Sequence, residues 1–480
     1  MALVALVLLV AQLALFGCAS QGSTGQGFAE GSATEVSEEQ VEQGEPAEDA
    51  QASEQASLEE YPASVDVDYH SPGDGYTLEQ VVVLSRHNIR SPLSTNGSAL
   101  DTLTPHTWYP WTSAGSELSL RGGVLECEMG QYFRRWLEGE GLIPQNWQPT
   151  ADEARFYANA KQRTIATTHY FSAGMLPVAA VEIETHAPYD TMDPVFSPQL
   201  TFASDSYVEA ALDEIAHANG ASGMDAVAAD AADSYKLISE VCSTDESDAA
   251  KSGEFTGLDT TDTEVSLEVG QEPKVQGSLK TACQLSDALV LQYYEESDPV
   301  RAAFGHELTF DDWKCVSESK DLYIDLLYGQ PLVATNLAHP LLAEIGSELK
   351  APGRTFSFLC GHDSNIASVL GALDVEPYDL EGSIEAGTPI GGKVVFERWA
   401  DAQGEEYGRV RLIYANAEQL RSATLLVGDN QPMAYELSFE GLEKNADGLY
   451  AYKDLEGRIQ SATDAYDEIV STYQDQAEAA

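Results

Sequence analysis

The stretch QVVVLSRHNIRSP, residues 80–92, joins a run of apolar residues to a cluster of positive charge. A short apolar run that ends at a turn suits a β-strand covered on both faces, as in a parallel sheet. Arg86, His87 and Arg90 follow directly, where such a strand reaches its carboxyl end. Because open α/β sheets bind ligands at that edge, the stretch predicts an α/β fold with an anion site beside this strand.

Positive charge is scarce in the rest of the chain. The 480 residues include 79 Asp and Glu but only 25 Lys and Arg, which gives a formal charge of −54. A surface this acidic repels nucleic acid and anionic lipid, so we expect neither as a partner. It also repels anionic substrates, so a site for one needs locally focused positive charge. Hydrophobic residues make up 43% of the chain, which is enough to bury a sizeable core.

Further segments extend the α/β pattern along the chain. Strands are predicted at ARFYAN (154–159), RTFSFLC (354–360), GKVVFERW (392–399) and GRVRLIYA (408–415). Helices are predicted over residues 119–143, 162–175 and 364–373. Helix-like segments predominate between 200 and 350, and a polar stretch at 244–277 predicts a long surface loop among them. The pattern indicates a helical segment inserted into an α/β domain.

The N-terminal residues have the composition of an export signal. Residues 2–16 are apolar apart from Gln12, which is typical of a signal-peptide core and short for a membrane span. Gly17 and Cys18 follow, and they resemble a bacterial lipoprotein signal in which the cysteine thiol is lipidated. Ordinary signal cleavage, with Cys18 incidental, is the alternative. The polar, acidic residues 19–75 predict a disordered tether.

Two more segments place polar groups directly after predicted strands. ANAKQRT carries Arg163, and CGHDSN carries His362 and Asp363. Three arginines and two histidines suit a phosphate ester, because guanidinium groups bind phosphoryl oxygens and a histidine nitrogen can attack phosphorus. A carboxylic acid can protonate the leaving oxygen. No metal or cofactor is expected, since the arginines supply the charge neutralisation.

Each of these pieces also has a structural explanation when it is taken alone. An Arg–His pair is commonly a surface feature, Asp363 could be a helix N-cap, and Arg163 could serve a salt bridge. The combination of fixed positions favours the chemical interpretation.

RHNIRSP and GHDSNIASVL resemble the motifs of the histidine acid phosphatases, within the histidine phosphatase superfamily. The first motif of that family is RHGxRxP, and the distal motif is HD. Asn88 stands where most members have glycine. ANAKQRT, LQYYE (291–295) and TPIGGKVVFERW (388–399) are similar to the bacterial glucose-1-phosphatase and phytase branch, and the resemblance spans about residues 76–455.

The resemblance implies a role for each matched residue. His87 would be the nucleophile that forms a phosphohistidine, and Asp363 would be the proton donor. Glu295 would narrow the substrate pocket, although an exposed glutamate at a helix end is the alternative. Four residues would bind the phosphoryl group: Arg86, Arg90, Arg163 and His362.

The resemblance also implies an architecture. A mixed-sheet α/β sandwich domain is expected over 76–199 and 350–455, with a helical cap domain inserted at 200–349. Residues 456–480 are expected to be an acidic C-terminal tail. With the signal peptide at 1–18 and the tether at 19–75, the protein would be membrane-anchored on the extracytoplasmic face, or secreted or periplasmic.

The expected activity is that of an exported acid phosphomonoesterase. Its partner would be a small-molecule phosphate ester, such as a sugar phosphate or an inositol phosphate, and it would use no cofactor. Two alternatives are an inactive lipoprotein that binds phosphate esters and a phosphotransferase resembling phosphoglycerate mutase. The oligomeric state and the physiological substrate stay open.

Five cysteines follow Cys18, at positions 127, 242, 283, 315 and 360. None of them forms a CxxC pair, so a zinc or redox motif is unsupported. Pairing of Cys242 with Cys283 is one prediction, and free buried thiols are the alternative.

Overall fold

The fold is built on a mixed β-sheet whose strands come from distant parts of the chain. The structure is a computed structural model, and it describes residues 69, 71–73, 75–93 and 99–474. The strands are β1 (Tyr76–Arg86), β2 (Ala154–Ala158), β3 (Glu264–Ser266), β4 (Lys274–Gln276), β5 (Phe356–Gly361), β6 (Lys393–Asp401), β7 (Glu406–Tyr414), β8 (Met433–Glu436) and β9 (Tyr450–Ala451). Among the described residues, seven strands form one sheet in the order β2-β5-β1-β6-β7-β8, with β9 also pairing with β7. Strands β3 and β4 form a separate antiparallel pair.

Helices cover both faces of this sheet. They are α1 (Ala99–Thr102), α2 (Leu120–Gly139), α3 (Gln162–Met175), α4 (Asp205–Ala216), α5 (Met224–Ala229), α6 (Ala232–Cys242), α7 (Asp248–Ser252), α8 (Ser278–Glu295), α9 (Pro299–Ala302), α10 (Phe310–Ile324), α11 (Pro331–Lys350), α12 (Asp363–Ala372), α13 (Ala417–Ser422) and α14 (Tyr452–Tyr473). Helices α2 and α3 contribute to the hydrophobic cluster on one face, and α11, α12 and α14 contribute to the cluster on the other.

Strand β1 lies between these two clusters. Val81 and Val83 belong to the first cluster, whereas Val82 and Leu84 belong to the second. Successive side chains of a strand point to opposite faces, so an uninterrupted apolar run is what a strand buried on both sides requires. The structure thus confirms the mixed-sheet α/β fold class.

The three strands β2, β5 and β1 run parallel, and their carboxyl ends are level. Arg86 pairs with Gly361, and Ala158 pairs with Cys360. The chain leaves all three strands at the same edge of the sheet. This register places the residues that follow each strand beside one another.

Two segments differ from the sequence-based expectation. The stretch 244–277 was expected to be a long loop, but it contains helix α7 and the pair β3–β4. The C-terminal tail expected from 456 is helical to Tyr473, because Leu455, Ile459 and Ala462 form a buried stripe at helical spacing. The remaining residues of that tail, the predicted signal peptide and most of the predicted tether lie outside the described residues.

The division into an α/β domain and an inserted cap stays a prediction. All the described residues fall within one compact unit, Ser64–Ala480. No helix in the described part of the chain is both long enough and apolar enough to cross a membrane.

The predicted disulfide between Cys242 and Cys283 is wrong. All five cysteines of the described residues are free thiols: Cys127, Cys242, Cys283, Cys315 and Cys360. Cys242 belongs to the hydrophobic core, whereas Cys283 lies on α8 close to the charged side chains of Asp287 and Lys320. Their thiols therefore have different surroundings.

Candidate active site

The candidate site begins at the level ends of the three parallel strands. His87 follows β1, Asn159 follows β2 and His362 follows β5. The backbone N–H of His87 donates to the carbonyl of Gly361 at 3.1 Å, and that of Asn159 donates to the carbonyl of Cys360 at 2.9 Å. The strand ladder thus extends one residue past the sheet and aligns these side chains.

His87 is held as a neutral ring with one free nitrogen. Its Nδ1 lies 2.9 Å from the backbone carbonyl of Asn88. Because a carbonyl can only accept, Nδ1 carries the proton and Nε2 keeps its lone pair. Burial, followed by the charges of Arg163, His362 and Arg90, lowers the pKa of His87 well below its usual value. A neutral imidazole with an unprotonated Nε2 is the form that can act as a nucleophile.

His362 faces His87 across the site. The ring centroids are 5.5 Å apart, with the planes at 71°. Asn159 donates its Nδ2–H to His362 Nε2 at 2.7 Å. The oxygen of Asn159 accepts from the backbone N–H groups of Ala160 and Asp193, which sets the orientation of this amide. Nη2 of Arg163, which can only donate, lies 3.4 Å from Nδ1 of His362, so donors face both ring nitrogens of this histidine.

Three arginines converge on these histidines. Arg86 ends β1, Arg90 follows it in the next turn, and Arg163 lies in the first turn of α3. Burial, and then the charge of Arg90, lowers the pKa of Arg163 to about 10. In the described part of the chain, the Nε–H groups of all three arginines are buried without a hydrogen-bond acceptor. Buried donors that lack an acceptor favour a ligand that supplies one, and an oxyanion fits this requirement.

Asp363 is the first residue of α12 and lies against Arg86. Its Oδ2 is 3.1 Å from Arg86 Nη2 and 4.0 Å from Lys320 Nζ, and its side chain is 20% exposed. Burial opposes its ionisation, but the charges of Arg86, Lys320 and Arg90 outweigh burial and hold the pKa of Asp363 well below its usual range. Asp363 is therefore a carboxylate in the unliganded site.

Sequence reasoning missed three charged residues of this site. Lys320 Nζ lies 2.9 Å from Glu385 Oε1 and 3.5 Å from Asp287 Oδ1. Glu385 Oε1 also lies 2.6 Å from Arg86 Nη1, and Asp287 Oδ2 lies 3.1 Å from Arg90 Nη2. Burial opposes the ionisation of Glu385, but Lys320 and Arg86 lower its pKa to about 2. The charged network has six members: Arg86, Arg90, Lys320, Asp287, Asp363 and Glu385.

No local signal marks these three residues in the sequence. Lys320 and Asp287 occur in ordinary amphipathic helices, α10 and α8, and Glu385 occurs in a connection. A charged residue on a helix indicates a functional site only when it is buried against other charged groups. Helical periodicity does not show which element packs against a given turn of the helix. Among the described residues, no group of three or more His, Cys, Asp or Glu side chains is arranged to hold a metal ion.

Asn88 has a structural role in place of the glycine that most family members carry. Its Nδ2 donates to Glu126 Oε1 at 2.7 Å, and its Oδ1 accepts from the backbone N–H of Ile89 at 2.8 Å. Glu126 also pairs with Lys393 at 3.1 Å, and both of these side chains are fully buried. The turn after β1 is thereby bonded to a buried ion pair.

Glu295 lies at the end of α8 and does not contact the charged network. Its Oε2 accepts from Ser119 Oγ at 2.9 Å, and the Nε of Arg121 is 4.0 Å away. The side chain is 13% exposed, so the alternative of an exposed helix-end glutamate does not hold. Its link to the site is indirect, because Ser119 follows Leu118, which pairs with Arg90.

A different glutamate is within electrostatic range of Arg163. Glu272 is in the connection between β3 and β4. The residue is exposed to solvent, but partial desolvation of its carboxyl group raises its pKa, and the charges of Lys161, Arg163 and Lys274 oppose that rise. Glu272 thus brings negative charge toward the side of the site that Arg163 occupies.

Comparisons with known proteins agree with this geometry. The histidine phosphatase superfamily (branch 2) matches residues 77–415. The chain is 38% identical to a glucose-1-phosphatase of Salmonella typhimurium, over 78% of this chain and 90% of that protein. It is 35% identical to a glucose-1-phosphatase of Providencia rettgeri, over 79% of this chain and 90% of that one.

A solved structure shows the same fold. The phytase of Hafnia alvei, in complex with tartrate, aligns with a TM-score of 0.74 and 26% identity, over 81% of this chain and 98% of that one. The chain therefore belongs to branch 2 of the histidine phosphatase superfamily, and it is an enzyme of the histidine acid phosphatase kind, a phosphoric monoester hydrolase.

Proposed function

We propose that this protein hydrolyses sugar phosphates at acid pH through a phosphohistidine on His87. The observation that carries the proposal is a neutral histidine with a free Nε2 beside three arginines whose Nε–H groups lack acceptors. The arginine donors would bind the oxygens of the phosphoryl group, and His362 would join them.

In the first step, the lone pair of His87 Nε2 attacks phosphorus and the P–O bond to the sugar breaks. Asp363, protonated in the complex, gives its proton to the departing oxygen, which leaves as an alcohol. In the second step, water attacks the phosphohistidine and gives its proton to the Asp363 carboxylate. The P–N bond breaks, and phosphate and the free imidazole are restored.

The substrate class follows from charge. The relatives that are 38% and 35% identical are glucose-1-phosphatases, whose named substrate carries one phosphate. Glu272 places a carboxylate near Arg163, and such a group disfavours additional phosphates on the substrate. We therefore propose a preference for a sugar monophosphate over inositol hexakisphosphate.

The nucleophile is tested by His87→Ala, with His169→Ala as the matched control on an exposed histidine of α3. His87→Ala should lower kcat on glucose 1-phosphate by more than roughly 10³-fold, since no other group replaces the attacking nitrogen. The control should keep wild-type activity. The wild type, quenched during turnover into alkaline denaturant, should carry phosphate on His87, because a phosphoramidate survives alkali.

Three outcomes would contradict the proposal. Substantial turnover by His87→Ala would exclude this histidine as the nucleophile. A wild-type protein that binds phosphate without hydrolysing esters would instead be a phosphate-ester-binding protein. Transfer to a second sugar in place of water would indicate a phosphotransferase.

We further propose that residues 200–349 form a cap over the site, since Asp287 and Lys320 of the charged network come from this segment. We also propose export of the chain and lipidation of Cys18, which lies outside the described residues. Radiolabelled fatty acid should enter the wild type in a bacterial host and should not enter Cys18→Ala. Equal labelling of both proteins would contradict the anchor.

A further inference from the structure

Lys320 is a buried lysine that faces three carboxylates. It lies on α10, and its side chain is only 5% exposed. Its Nζ lies 2.9 Å from Glu385, 3.5 Å from Asp287 and 4.0 Å from Asp363. A buried ammonium is costly unless carboxylates compensate it, so this position requires the three acidic partners.

Each of these three partners already has another cation. Glu385 pairs with Arg86 at 2.6 Å, and Asp287 pairs with Arg90 at 3.1 Å. Asp363 also has Arg86, at 3.1 Å. Lys320 thus adds a second positive charge to a carboxylate that, under the proposed function, must be protonated to act.

We propose that Lys320 is a positioning residue that acts through Asp363. The ammonium group of Lys320 keeps the Asp363 carboxylate ionised in the free enzyme and thereby confines turnover to acid pH. The proposal rests on the proposed function, because it concerns the group that protonates the leaving oxygen. Lys320 itself transfers no proton and forms no bond to the substrate.

The proposal has a definite sign. A nearby cation favours the carboxylate form, so a lower pH is needed to populate the acid that gives up the proton. The structure agrees, because the positive charges around Asp363 lower its pKa by more than burial raises it. Among these neighbours, Arg86 has the largest effect and Lys320 the next largest. Removing the charge of Lys320 should therefore extend turnover to higher pH.

Several other titratable or charged groups face Asp363. The charged or basic ones are Arg86, Arg90, Arg163 and His362, and the neutral titratable ones are Cys283, Tyr323 and Tyr328. Burial raises the pKa values of the two tyrosines and the thiol well above their usual values, so these groups stay neutral across the acid range. Removing Lys320 also raises the pKa of Glu385 and that of Asp321, a carboxyl group of α10 whose pKa burial raises to about 7. The basic limb of the kcat profile is therefore assigned to Asp363 by comparing two substrates, since only protonation of the leaving oxygen distinguishes them.

The experiment compares kcat against pH for the full-length wild type, Lys320→Met, Lys320→Gln and the charge-retaining control Lys320→Arg. Two substrates are used. Glucose 1-phosphate has a leaving alkoxide that needs a proton, whereas 4-nitrophenyl phosphate has a leaving group that departs unaided. If the basic limb of the kcat profile were caused by ionisation of the substrate phosphoryl group, or by misfolding of a variant, it would appear with both substrates.

For glucose 1-phosphate, we expect both neutral variants to move the basic limb of the kcat profile to higher pH by about 1 to 3 units. This range is the effect of a unit charge about 4 Å away on a pKa, calculated with the dielectric constant of water for the lower value and that of a protein surface for the upper value. Lys320→Arg should leave the limb in place. With 4-nitrophenyl phosphate, the limb should move in none of the variants.

Several outcomes would overturn the proposal. The limb could stay fixed while kcat falls at every pH, or it could move equally with both substrates. Failure of both neutral variants to fold, when Lys320→Arg folds, would assign Lys320 to stability alone. A wild type without activity on either ester would refute the proposed function itself, whereas an active wild type with an unmoved limb refutes only the role of Lys320.

Discussion

Replacing Asp363 by Asn separates proton donation from phosphate binding. Asn keeps the shape of the side chain but cannot give up a proton to the leaving oxygen. It also removes a negative charge that lies 3.1 Å from Arg86 and 4.0 Å from Lys320. The substitution therefore has two consequences of opposite sign, a slower chemical step and a stronger attraction for the phosphate anion.

The size of each consequence can be worked out. General acid catalysis contributes roughly 10²–10⁴-fold, so kcat on glucose 1-phosphate should fall by that factor. The fall on 4-nitrophenyl phosphate should stay within about tenfold, since its leaving group is stable as an anion. Loss of a unit charge about 5 Å from the phosphate is worth about 0.8 kcal/mol even at the dielectric of water, so the inhibition constant of inorganic phosphate should fall at least about fourfold.

The assay measures kcat on both esters and inhibition by inorganic phosphate at one acid pH. Thermal unfolding of the variant supplies the check on its fold. If Asp363→Asn slows both esters by the same factor, Asp363 is not the proton donor. If phosphate binds more weakly to the variant, the carboxylate is not opposing the anion as the geometry requires.

Three further predictions concern specificity and stability. Glu272→Gln should raise the rate on inositol hexakisphosphate relative to glucose 1-phosphate by roughly tenfold, because it removes a negative charge near Arg163. Glu295→Gln tests the alternative that Glu295, which the family resemblance indicates, sets the substrate preference. A larger change in the ratio of the two rates for Glu295→Gln than for Glu272→Gln would place the specificity determinant at the end of α8. Lys393→Met should cost about 3–5 kcal/mol of the free energy of unfolding in urea, since it leaves buried Glu126 unpaired, and adding Glu126→Gln should restore most of it. This loss should shrink at acid pH, where Glu126 can be protonated, and an equal loss at all pH values would contradict the electrostatic explanation.

The α/β core could be predicted from the sequence because its strands have a simple local pattern. The apolar run before Arg86 became β1, and the helix expected over 162–175 is α3 with the same bounds. Helix α14 was missed because the apolar residues Leu455, Ile459 and Ala462 are separated by charged and polar residues typical of a solvated tail. Burial of that stripe against α11 is a tertiary contact with no local signal.

The sequence by itself determined which residues stand at the ends of the parallel strands. Arg86 and His87 follow one apolar run and His362 and Asp363 follow another, and parallel strands bring such ends to one edge. That geometry needs only strand periodicity and chain direction, both of which are local. The chemistry of a histidine between arginines could therefore be inferred before the fold was known.

Only the tertiary structure decided what surrounds those residues. Lys320, Asp287 and Glu385 reach the site from two helices and a connection that are separate in the chain. The charge of Arg163 acts on Glu272, whereas Glu295 bonds to Ser119 outside the charged network. Helical periodicity tells which face of α8 or α10 is buried, but not which turn meets the sheet edge. Electrostatic interaction depends on distance in space, so the ionisation of Asp363 was set by packing that no stretch of sequence contains.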